Sequence, residues 1–168
     1  MLMRTFAALA VATIFPSAAA ATLVPTPSPA PHAPSALTAA RACPSSQLRA
    51  TVVSDEGAMM HRELRVTLTN EGASACTIDG FPAIRLLDAQ RHVTIAEESF
   101  SGTPRAFTLA PDKSASFGLR IATGDGITTY PTVPAFAVIP PGDVVAIVVQ
   151  HRVPAGPTID VQAIVASP

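Results

Sequence analysis

The sequence predicts an all-β fold, an antiparallel β-sandwich of about eight or nine strands over residues 43–168. Three observations predict it. Apolar residues recur at every second position from Leu48 onward, the period of a half-buried strand. Clusters of Gly, Pro, Asn and Asp interrupt these runs about every dozen residues. Seventeen prolines among 168 residues leave few stretches free to form a long helix.

The elements follow in order. Arg4 supplies a positive start, and Phe6 to Phe15 is an apolar run too short to span a bilayer. Pro16 breaks it, and Ser17 to Ala21 offers small residues at a cleavage site. Residues 1–21 are therefore expected to be a signal peptide, and the protein to be exported to the periplasm or secreted. Cys43 comes too late after this run, and without the preceding leucine, to serve as a lipoprotein cysteine. No span is expected once the signal is removed. Residues 22–42 are rich in Pro, Ala and Ser and cannot fill a core. They read as a semi-rigid spacer in extended polyproline conformation or as a disordered tail left by cleavage. The net charge of −1 carries no footprint for nucleic acid or anionic lipid.

From Leu48 the alternation begins. Leu48, Ala50 and Val52 form one face, and Leu64, Val66 and Leu68 the next. Ile84 with Leu86, then Ala115, Phe117, Leu119 and Ile121, then Ile159, Val161, Ala163 and Val165 continue it. Val93–Ile95, Phe107–Leu109 and Phe136–Val138 are shorter candidates. Val144 to Val149 (VVAIVV) is continuous and β-branched, as in a central strand covered on both faces.

Two cysteines, Cys43 and Cys76, are an even count, which favours a disulfide in an oxidising compartment. The hairpin made by residues 48–54 and 63–70 tests the geometry. Val52 opposite Leu68 and Ser54 opposite Val66 put both apolar sets on one face. Extended past the strand ends, that register brings Cys43 near residues 75–77. The pair is expected to staple the open end of the hairpin, closing a loop of about 34 residues worth roughly 3–4 kcal/mol.

Several segments together resemble a known family. They are Cys43-Pro-Ser-Ser-Gln-Leu48, Leu68-Thr-Asn70-Glu-Gly72 and Cys76-Thr-Ile-Asp-Gly80-Phe-Pro82. Leu109-Ala-Pro111 before Ala115-Ser-Phe-Gly-Leu119, and Pro140-Pro-Gly142 before Val144, extend the pattern. The chain resembles the bacterial domain of unknown function 4232 family over roughly residues 42–165. The resemblance implies an immunoglobulin-like sandwich and the same two-cysteine bridge, and it brings no activity or ligand. Two positions depart from the pattern: Asp112 stands where a glycine is usual, and Phe81 where a tyrosine is usual.

Few residues of the sequence carry recognisable chemistry. Met59-Met60-His61 unites thioethers and an imidazole, a soft set that suits copper, or else forms an apolar loop tip. Gly124-Asp125-Gly126 lacks the alternating acidic ligands of a calcium loop and reads as a turn. Adjacent strand residues point to opposite faces, so Glu97-Glu98 makes no acid/base pair. No G-x-S-x-G, S-x-x-K or H-E-x-x-H occurs. Arg85, Arg91, Arg105 and Arg120 read as polar strand faces more readily than as one anion site. Tyr130 lies in Ile127–Val133 as an interaction anchor or a partly buried loop residue. The expectation is a noncatalytic binding or structural module of the envelope or extracellular space, without cofactor and with an unknown protein or glycan as partner. The alternative is a periplasmic copper-binding protein using Met59, Met60 and His61.

Overall fold

The computed structural model describes residues 41–94 and 96–167. The expected signal peptide, nearly all of the expected spacer, and Ile95 of one strand candidate lie outside them. The described residues contain no α-helix, only a 3-10 turn at Ser45–Gln47. Fourteen strands are described: β1 (Leu48–Ala58), β2 (His61–Asn70), β3 (Cys76–Ile78), β4 (Ala83–Leu87), β5 (Val93–Thr94), β6 (Glu97–Ser101) and β7 (Phe107–Leu109), followed by β8 (Ser114–Ala122), β9 (Thr132–Val133), β10 (Ala135–Ile139), β11 (Ile147–Val149), β12 (Val153–Pro154), β13 (Thr158–Gln162) and β14 (Val165–Ala166). The count exceeds the expected eight or nine because loops divide several runs into two- and three-residue pieces.

One large sheet runs β1-β2-β8-β13-β6, with β14 also on β8. A second runs β11-β10-β4-β5. Two small ribbons, β12-β9 and β3-β7, complete the fold. The pairs are antiparallel except β6 with β13. The architecture is the expected all-β sandwich. Leu64, Val66 and Leu68 of β2 and Phe117, Leu119 and Ile121 of β8 meet Leu86, Phe136 and Val138 of the second sheet in one buried cluster. Each such side chain contributes about 1.5–3 kcal/mol on burial.

Two expectations are corrected. The first concerns the β1–β2 register. Val52 faces Val66 and Ala50 faces Leu68, two residues from the expected pairing. The hairpin loop is only Met59-Met60, with Ala58 opposite His61. An even shift leaves every apolar residue on its face, so alternation alone cannot detect it. The second concerns Val144–Val149. Only Ile147–Val149 forms a strand, and it is an edge strand. Val144 is 89% exposed. The Asp143 carboxylate accepts the backbone N–H of Val144 at 2.6 Å and of Val145 at 3.1 Å. These bonds occupy the groups a sheet would need.

The Cys43–Cys76 disulfide is formed, with both residues buried. Its route differs from a simple extension of the hairpin. Residues 42–43 leave β1 through the 3-10 turn and run parallel to β3, with Cys43 N–H donating to Thr77 O at 3.0 Å. Thr77 N–H donates to Arg41 O at 2.8 Å. The nearby turn at Ala110–Lys113 keeps the conformation a glycine would take, with Asp112 at φ 59°. Its Lys113 N–H donates to Ala110 O at 3.2 Å.

Candidate functional site

The β1–β2 tip and the loop from Thr123 to Pro131 meet at the end of the sandwich remote from the disulfide. Short-range chemistry shapes each. Met60 holds φ 59°, a left-handed conformation that lets a two-residue loop close. In the other loop, Asp125 Oδ1 accepts the N–H of Ile127 at 2.9 Å and of Thr128 at 2.7 Å. These donors hold its carboxyl below the usual carboxylate range. A Cβ on Gly124 would lie 2.5 Å from Thr128 O, so only glycine permits this turn. The carboxylate is spent on the turn, in keeping with the turn reading of Gly124–Gly126.

Backbone bonds join the two loops. Thr123 N–H donates to Met60 O at 2.9 Å, and Tyr130 N–H donates to Thr123 O at 2.9 Å. The Met60 sulfur packs 3.8 Å from the position a Cβ would take on Gly126. The Met59-Met60-His61 cluster and Tyr130, two separate candidates in the sequence, therefore lie at the same end of the sandwich. Ile127 joins them unforeseen. Met59 is 89% exposed, Met60 46% and Ile127 96%, whereas Tyr130 is half-buried. His61 Nδ1 lies 2.9 Å from Met59 O and donates to it, which leaves Nε2 as its acceptor nitrogen.

A charged cluster lies beside this end. The β1 strand carries a bulge at Val53, after which Asp55 stands opposite Leu64 on the inward face. Arg62 Nε and Nη2 donate to the two Asp55 carboxylate oxygens at 2.5 Å each. His151 lies 2.6 Å from Asp55 Oδ2 through Nε2. An ionised carboxylate only accepts, so His151 Nε2 carries the hydrogen. The Arg62 hydrogen bond, opposed by burial and assisted by His151, holds the Asp55 carboxyl below its usual range. The cluster joins the edge of the large sheet to the segment after β11. Sequence reasoning missed it because alternation without a bulge sends Asp55 outward.

Glu98, Arg85 and Arg120 have side-chain partners. Glu98 accepts Ile84 N–H at 2.7 Å and Arg85 Nη1 at 3.1 Å, bridging β6 to β4. Glu97 is exposed and separate from it. Arg120 pairs with Glu63 at 3.4 Å on the outer face of the large sheet, while Arg85 lies on β4 of the other sheet. These two arginines do not face one anion. Among the described residues, no three His, Cys, Asp or Glu side chains gather as a metal-holding group. No described helix is long and apolar enough to cross a membrane.

No curated protein and no solved structure matches the chain. The family comparison does give a match, over residues 43–168, which begins at the first cysteine and takes in the turn at Asn70, buried at the end of β2, the bridged β3 strand and both sheets. On that match the chain belongs to the family described as Domain of unknown function (DUF4232).

Proposed function

We propose that this protein is an exported, noncatalytic module that docks a protein partner through the end formed by Met59, Met60 and Ile127. The observation carrying this reading is the exposure of three large apolar side chains from two chain segments that backbone hydrogen bonds lock together. Solvated loops rarely gather such residues unless they meet another surface. Methionine is enriched at protein interfaces and adapts to varied partners. A glycan site would instead present flat aromatic faces and converging polar groups, and the single tyrosine here is half-buried. The signal-like N-terminus and the disulfide support export.

The test is photo-crosslinking in the producing cells from position 59, position 127 and a control at the exposed Glu97. Positions 59 and 127 are expected to give the same discrete protein adduct, and position 97 not to give it. Met59→Glu should remove the adduct formed from position 127. Identical adducts from all three positions, or none from 59 and 127, overturn the proposal.

The copper reading competes for the same residues. It is favoured by one observation, the Nδ1 bond of His61 to Met59 O, which leaves Nε2 open toward solvent chemistry. A stoichiometric copper(I) adduct of the purified protein, abolished in Met60→Ala/His61→Ala, would transfer the assignment to metal handling.

A further inference from the structure

The chain has four methionines, and Met1 and Met3 fall in the expected signal peptide. The other two are Met59 and Met60, side by side at the hairpin tip. The buried cluster holds no methionine; Leu, Ile, Val, Phe and Ala fill it around the disulfide. Methionine is a common filler of irregular core gaps, so its confinement to one exposed turn is selective. No cysteine is free. Beyond the expected signal, the thioethers of this tip are therefore the chain's entire stock of unbridged sulfur.

The two sulfurs differ in surroundings. Met59 is 89% exposed. Met60 is 46% exposed, with its sulfur on the side of the Gly126 turn, 3.8 Å from where a Cβ would stand. Oxidation of methionine follows exposure. We infer that the tip is a reversible oxidation site, with Met59 the preferred target and peroxides the oxidant.

The step balances without any group from the protein. A sulfur lone pair attacks one peroxide oxygen, an S–O bond forms and the O–O bond breaks. With hydrogen peroxide the departing hydroxide takes the proton of the transferred oxygen and leaves as water. Sulfur loses two electrons and the peroxide gains two. The sulfoxide is polar, and a methionine sulfoxide reductase restores the thioether. Neither sulfur belongs to the core, so oxidation leaves the sandwich folded. A further consequence rests on the docking reading above. A sulfoxide oxygen at an apolar contact must be desolvated without a partner, so oxidation of Met59 releases the bound protein.

The experiment exposes the folded protein to graded hydrogen peroxide and follows each methionine by peptide mass mapping. Met59 is expected to react at least about threefold faster than Met60, and within about twofold of a free methionyl peptide. The thermal midpoint should stay unchanged. Equal or reversed rates, resistance of Met59, or loss of the folded transition overturns the inference. Crosslinking from position 127 then reads the consequence under peroxide sufficient to oxidise Met59. Wild type should lose the adduct, Met59→Leu should keep it, and Met59→Gln should lack it without peroxide. An adduct that persists after full oxidation of Met59 overturns the switch and leaves docking intact. An adduct absent even from untreated wild type overturns docking, while the mass mapping still decides the oxidation site.

Discussion

Asn70 is fully buried, and each polar atom of its side chain is used. Its amide nitrogen donates to Ser74 O at 2.9 Å and Leu109 O at 3.0 Å, and its oxygen accepts Gly72 N–H at 3.0 Å. Its backbone oxygen accepts Asp112 N–H at 2.8 Å. One residue thus ties the turn before β3 to β7 and to the turn before β8. Cys76 begins β3 opposite Leu109, so this knot also holds the strand that carries the disulfide. Truncation would take one donor from Leu109 O, which keeps its ladder pairing with Cys76, and each lost bond is worth about 0.5–1.5 kcal/mol. With the two further bonds lost, Asn70→Ala should destabilise by about 2–4 kcal/mol in denaturant unfolding. A value within about 0.5 kcal/mol of wild type, the range of ordinary surface changes, would contradict the knot. The Asn70 to Gly72 turn was legible in the sequence as part of the family pattern. Its partner Leu109 was not, because that contact depends on how two distant strands meet.

At the scale of elements, the Val53 bulge has the largest effect. It shifts the parity of β1 by one, so Asp55 turns toward Arg62 and His151 and away from solvent. The resulting cluster fastens β1 to the segment after β11 and covers part of an edge that would otherwise stand open. Its pH dependence follows from the direction of the Asp55 shift. The folded value is lowered, so the stabilising contribution is complete above the unfolded value, ordinarily 3.8. It is lost as pH falls through the folded value. Asp55→Asn should lower stability by about 1–2 kcal/mol near neutral pH, the scale of a charge-assisted hydrogen bond. The gap from wild type should stay constant down to about pH 5 and close below about pH 4. Paired thermal melts across that range check it, and a gap that does not change with acid removes Asp55 as its source. The same scale explains the Val144–Val149 correction: hydropathy sees six apolar residues, but Asp143 decides which of their N–H groups are free.

For the whole molecule, the two sheets share one core, and the disulfide closes the end where the chain enters it. A sequence separation of 33 between the cysteines corresponds to roughly 3–4 kcal/mol in the chain-entropy model. Cys76→Ser is expected to lose about that much in equilibrium unfolding. Equal stability would show that the parallel pairing of residues 42–43 with β3 suffices without the bond. The opposite end carries the exposed side chains of Met59, Met60 and Ile127. The bridge and the docking end are thus separated along β1 and β2, and loss of the bond should act on stability before it acts on the tip.

The alternating strands β1, β2, β4, β8 and β13, the inward faces of β2 and β8, the disulfide partners and the family were legible in the sequence, because each rests on local periodicity or on residue types that admit few alternatives. Alternation over Leu64, Val66 and Leu68 places those residues inside whatever their partners are. Tertiary structure alone decided the hairpin register, the inward turn of Asp55 and the meeting of the hairpin tip, through Met60, with the loop from Thr123 to Pro131. An even register shift preserves the pattern, while a single bulge inverts it, and neither leaves a mark in composition. The Thr123–Met60 hydrogen bond joins segments far apart in the chain, and such contacts become specific only once the sheets have been packed.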